Sequence, residues 1–148
     1  SSEYIERFGK PMHPDEIQNH QVISATGWTQ WSLKGPNAQE INVNIKPRLK
    51  VNDLSSLYTL ALSGAGITAL PVLIAASAIK SKNLIPLLCD WPFETHPIHT
   101  LYASNRHLSA KVRSFVDFVI DQVRPNPPWL VDMEGHDKCD ADGLAGKD

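Results

Sequence analysis

Three things are scarce in this sequence: basic blocks, long apolar runs and cysteines. Each scarcity removes a class of function. Lysine and arginine number 14 against 16 acids, a net charge of −2, and no stretch concentrates the positive charge. That argues against a nucleic-acid surface within these residues, so any contact with DNA belongs to another segment. The longest apolar run, "ITALPVLIAASAI", is broken by Thr68, Pro71 and Ser77 and is too short to span a bilayer as one helix. The two cysteines, Cys89 and Cys139, lie far apart, the second in a polar tail. The expectation is therefore no disulfide framework and a reducing, cytoplasmic setting. No secretory signal opens the chain, and "SSEYIERFGK" carries no initiator Met, which points to a piece of something longer.

Catalytic signatures are missing as well. No G-x-S-x-G elbow, P-loop, paired acid cluster or Cys/His nucleophile motif occurs, so the expectation is a protein that is not an enzyme and needs no cofactor. His96 and His99 flank Pro97 downstream of Cys89 and Asp90, but extended residues three apart face opposite ways and no second ligand pair has a structural-zinc spacing. "GHDKCDAD", with His136 and Cys139, sits in a tail with almost no periodic apolar pattern and reads as a solvated end. No metal is expected.

What is present is an alternation of short elements. The 148 residues, 42% hydrophobic and 20% charged, suffice for one domain with a core of its own. "SSEYIERFGKP" reads as one or two helical turns with Ser2 as cap and Gly9 and Pro11 as stops. "HPDEIQNH" starts a second turn at Pro14. "QVISA", "TQWSL" and "EINVNI" read as strands; in the last, Ile41, Val43 and Ile45 alternate with Asn42 and Asn44, which leaves one face wet. Residues 48–51 predict a strand, followed by a helix with apolar positions Leu54, Leu57, Tyr58, Ala61 and Leu62. Residues 67–70 predict a short buried strand, and "PVLIAASAIKS" a helix behind Pro71. "NLIPLL" and "IHTLYA" predict two more strands. The last helix, capped by Ser109, carries the stripe Val112, Phe115, Val116, Val119, Ile120 and Val123 and ends before Pro125.

Gly64, Gly66 and Ala69 in "SGAGITAL" have the G-x-G-x-x-A spacing of a dinucleotide turn. Such a turn must follow a strand and open a helix, because the pyrophosphate rests on the helix's free N–H groups. Here the order is reversed. The glycines close a helix, where a phosphate would be repelled, so Gly64 reads as a left-handed cap and Gly66 as a tight entry to the next strand.

Asn52 and Asp53 stand where a strand passes into a helix. One of them capping the helix is the simplest reading. A functional reading stands beside it: in an open α/β sheet, ligands gather outside the carboxyl ends of the strands, and helix starts there attract anions. Trp28 and Trp31 can stack on a ligand, although aromatic residues near a strand more often serve as core or rim.

At these residues the sequence resembles a known family. "YIERFGKPMHPDEIQNHQVI", "PRLKVNDLSSLYTLALSGAGITALP", "LIPLLCDW" and "IHTLYASNRHLSAKVRSFVDFVIDQV" are similar, in order and spacing, to the C-terminal half of the effector-binding domain of LysR-type transcriptional regulators. The likeness runs from about Tyr4 to Val123, and "RPNPPW" resembles the tail of one large subgroup. The resemblance implies an α/β, type 2 periplasmic-binding-protein-like fold, here incomplete. Residues 1–100 would be the second regulatory subdomain, 101–123 a crossover and the returning helix of the first subdomain, and 124–148 a flexible tail. It further implies a small-molecule effector, a small carboxylate or an aromatic, held between two subdomains. A homo-oligomer would contact DNA through a winged helix-turn-helix that this sequence lacks.

By the same resemblance, Val51, Asn52, Asp53 and Leu54 face the effector cleft, with Gly66, Ile67 and Thr68 as an adjacent floor. Contacts from the other subdomain have no counterpart, so an effector finds half a pocket. The apolar stripe of the last helix, worth about 1.5 to 3 kcal/mol per large side chain when buried, would also lack its usual packing surface. It is expected to fold back on the chain's own sheet or to dock on another copy. Two other classes compete with the regulator: a solute-binding protein of a transporter with the same fold, and a small α/β enzyme whose acid, base or nucleophile set cannot be assembled from these residues.

Overall fold

A computed structural model describes residues 1–36, 39–94, 99, 101 and 109–123. Ser2–Phe8 forms α1, capped by Ser1, whose Oγ accepts the Tyr4 N–H at 3.3 Å; the cap falls one residue before the Ser2 expected. Gly9, at φ 78°, stops it. A 3-10 helix, Pro14–Asn19, follows behind His13. The strands are β1 (Ile23–Ala25), β2 (Gln30–Lys34), β3 (Glu40–Asn44) and β4 (Leu49–Val51), and the remaining helices are α2 (Leu54–Leu62), α3 (Val72–Lys80) and α4 (Ala110–Val123).

Two small sheets result. β1 and β4 run parallel with Ile23 opposite Leu49 and Ala25 opposite Val51. A parallel pair requires a long crossover, and the antiparallel hairpin β2–β3, with Trp31 opposite Val43 and Leu33 opposite Ile41, lies within it. Period-2 alternation decides which side of the hairpin is covered: Trp31, Leu33 and Val43 are buried, whereas Gln30, Ser32, Lys34, Asn42 and Asn44 are exposed.

The main core gathers Tyr4 and Ile5 of α1, Ile17 of the 3-10 helix, Val22, Trp31, Leu33, Val43, Ile45 and Ile67. A second cluster, Ala61, Ala75, Ala78, Ile79 and Leu84, joins α2 to α3. Alanine at three of these five positions allows the helix backbones close approach. α2 also packs on β1 and β4, with Leu57 only 2% exposed and Ile23 fully buried.

The paired glycines follow the predicted direction. Gly64, at φ 74°, donates to Ala61 O and Ala65 N donates to Leu60 O, the two bonds of a Schellman motif that ends α2. Gly66 then lets the chain press against β1, since a Cβ there would overlap the Gln21 carbonyl oxygen. "GAG" therefore leaves a helix and enters an extended segment.

Four expectations need correction or restriction. "NLIPLL" belongs to no strand among the described residues: Pro86 has no N–H to give a ladder and Leu88 takes φ 54°. The strand expected over 67–70 reduces to one parallel bridge, Val22 to Ile67. Cys89 is disulfide-bonded, against the expectation of no disulfide framework. α4 forms where predicted, with Val112 N–H reaching Ser109 Oγ at 3.4 Å, but buries no residue, so it does not fold back on the sheet. The "IHTLYA" strand falls almost entirely outside the described residues, as do His96, the polar tail and the second crossover.

Candidate functional site at the carboxyl edge of the parallel strands

Three segments converge where β1 and β4 end. From β1 the chain makes a tight turn: Trp28 N–H donates to Ala25 O at 3.1 Å, with Gly27 at φ 90° in the third position, where that sign of φ favours glycine. Thr26 ties the turn to β4, its N–H donating to Val51 O at 2.8 Å and its hydroxyl to the same oxygen at 3.2 Å. From β4, Asn52 and Asp53 lead into α2.

Asp53 is the helix cap. Its Oδ1 accepts the Ser56 N–H at 2.8 Å, and the Ser56 side chain, then the Ser56 backbone, hold the carboxyl below its ordinary value; desolvation opposes them, and the Ser55 backbone adds the least. The group is therefore ionised at neutral pH, which balances the positive end of α2. Asn52 and Leu54 are exposed beside it, Leu54 at 42%, and Trp28 at 53% completes an apolar rim. The second tryptophan, Trp31, is core.

Of the residues expected to meet an effector, Val51, Asn52, Asp53 and Leu54 share this edge. Gly66 and Ile67 do not reach it. Ile67 is aligned with Val22, three positions before Ala25, or about 10 Å back along the strand at 3.3 Å per residue. Both are buried. Thr68 follows, with a buried hydroxyl that finds no hydrogen-bond partner. Thr26 and the turn it anchors escaped the sequence reading. "SATGW" contains the T-G turn signal, but only parallel pairing brings it level with "VND".

The described residues contain no group of three His, Cys, Asp or Glu side chains able to hold a metal ion. No helix among them is long and apolar enough to cross a membrane.

Comparison with known proteins decides the lineage of this arrangement. The profile of the LysR substrate binding domain matches residues 1–124. The chain belongs to this family. It is 31% identical over 139 residues to an HTH-type transcriptional regulator of Xanthomonas campestris, covering 88% of this chain and 40% of that protein. Against the HTH-type transcriptional regulator CrgA of Neisseria meningitidis it is 29% identical, covering 85% and 43%. Among solved structures, full-length AphB, a virulence activator of Vibrio cholerae, superposes with a TM-score of 0.74 at 26% identity, covering 82% of this chain and 42% of that one. The CrgA regulatory domain superposes at 0.72 with 28% identity, covering 83% and 61%. The LysR-family chain thus spans about two fifths of the curated relatives it matches, and its incomplete α/β, periplasmic-binding-protein-like fold is that of their regulatory domains.

Proposed function

We propose that this chain is the effector-sensing part of a bacterial LysR-type transcriptional regulator, binding a small molecule in a cleft whose near wall is the carboxyl edge of β1 and β4. The observation that carries the reading is the parallel register. Ala25 opposite Val51 sets two strand ends and the start of α2 at one edge, the position where open α/β sheets receive ligands. The matched relatives are named as transcriptional regulators, which favours a sensor over a transporter's solute-binding protein or an enzyme, and a cytoplasmic place of action.

Asn52 supplies hydrogen bonds, Asp53 fixes the helix start, and Val51, Leu54 and Trp28 supply apolar surface. Thr68 offers a hydroxyl without a partner, while Gly66 and Ile67 support the floor from behind. Because Asp53 already neutralises the start of α2, an aromatic body against Trp28 and Leu54 suits this wall better than a carboxylate placed on Asp53. Effector binding shifts the balance between subdomain arrangements, and a homo-oligomer passes that preference to DNA through an N-terminal helix-turn-helix. A few kcal/mol of differential affinity suffices.

The test is thermal-shift screening of aromatics and small carboxylates on the full-length regulator, where a ligand at a hundredfold excess over Kd adds about 2.7 kcal/mol. Trp28→Ala should weaken a hit roughly fivefold, and Asn52→Ala should weaken it too. A hit whose affinity both variants leave intact would move the site elsewhere.

A further inference from the structure

A second concavity lies at the opposite end of β1, where the 3-10 helix meets the end of β3. It encloses about 90 Å³, enough for a few waters or one group of a few heavy atoms, and far below the several hundred Å³ of an organic-effector pocket. Its floor is apolar, formed by Ile17, Val22 and Ile45, all under 7% exposed. Its rim is polar: Gln18, His20, Asn44 and Lys46.

The charged and ring groups of that rim lean towards donors, while the Gln18 amide offers both a donor and an acceptor. The Tyr4 hydroxyl accepts the Gln21 N–H at 2.9 Å and shares a second hydrogen bond, 3.2 Å long, with His20 Nδ1. In the tautomer in which Tyr4 donates to Nδ1, the imidazole carries its proton on Nε2 and His20 offers a donor. Burial lowers the His20 pKa, against a smaller raising effect of Glu16, so the imidazole is neutral at pH 7. Asn44 Oδ1 accepts from Gln30 Nε2, which leaves the Asn44 amide N–H groups to give. Lys46 is exposed, and an ammonium has only donors. Glu16, whose charge acts on His20, has one carboxylate oxygen engaged by the Met12 N–H at 2.8 Å.

We infer that this cleft is a binding site, separate from the effector crevice, for a small carboxylate of acetate size or the carboxylate end of a short aliphatic acid. The carboxylate oxygens meet the donors of Lys46, His20 and Asn44, and a short alkyl part covers Ile17, Val22 and Ile45. Occupancy would brace the Tyr4–His20 contact, which fastens α1 to the start of β1.

The probe is sodium acetate, titrated into the ¹⁵N-labelled 148-residue chain with sodium chloride matched throughout. Acetate should produce saturable shifts in the amides of residues 17–22 and 44–46 while those of 51–54 stay in place. Acetamide, of similar size but uncharged, should bind about tenfold more weakly, and Lys46→Gln, an exposed substitution that leaves the fold intact, should weaken acetate about tenfold as well. Linear, unsaturated shifts, equal effects of acetamide, or an unchanged affinity in Lys46→Gln would each overturn the assignment. Failure here would leave the crevice untouched, since the two sites report through different amides.

Discussion

Single residues set the limits of the fold where backbone meets backbone. Gly66 is the tightest case. Its spacing from Gly64 and Ala69 matches a nucleotide turn, its place after a helix excludes one, and its neighbour in space is the Gln21 carbonyl. Gly66→Ala must push β1 and the 67–70 segment apart and should cost about 1 to 3 kcal/mol, read as a lower midpoint in urea unfolding. His20 gives a pH signature. Its pKa is lowered in the folded chain by burial, so the unfolded chain binds more protons in the window just below the ordinary histidine value. Stability is then full above about pH 6.5 and falls as pH drops through that window. His20→Gln should flatten this part of the stability profile measured between pH 7.5 and 5.5; an unchanged slope would assign it to another group.

Elements follow from local pattern wherever the pattern is long or well punctuated. α2 has its apolar spacing, an Asp53 cap and a Gly64 stop, and it appears where the sequence places it. Leu57 is its anchor at 2% exposed, and Leu57→Ala should cost about 2 to 5 kcal/mol, measured by thermal unfolding. "NLIPLL" shows the opposite outcome. Its apolar run is as strong as those of the true strands, but a strand needs a neighbour that accepts every N–H, and Pro86 has none to offer. Runs of this kind cannot be told from buried coil by composition alone.

α4 raises the question of what covers an amphipathic element. Phe115 and Phe118 are 63% and 59% exposed, and Val112 and Ile120 both 41%, in a 14-residue helix with no buried position. An apolar stripe of that size favours association. The isolated 148-residue chain should therefore self-associate in light scattering, and Phe115→Glu with Phe118→Glu should return it to a monomer. A strictly monomeric chain whose 109–123 amides exchange like coil would remove that expectation.

At the scale of the whole molecule, the sequence by itself determined the family, the order of most elements and the direction of chain through "GAG". The family rested on the resemblance of whole sequence blocks, whereas element order and chain direction depend on local signals: apolar period, caps, turn glycines and a proline that stops a helix. It also marked "VND" as a strand-to-helix junction. Tertiary structure alone decided which of the marked residues meet. Pairing β1 with β4 in parallel brought Thr26 and Trp28 level with Asn52 and Asp53, and it left Gly66 and Ile67 about three residues behind the edge. The same packing made Trp31 core and Trp28 rim, and it brought the His20 ring to the Tyr4 hydroxyl, sixteen residues away. Strand register and long-range hydrogen bonds join residues distant along the chain, and no local periodicity carries that information.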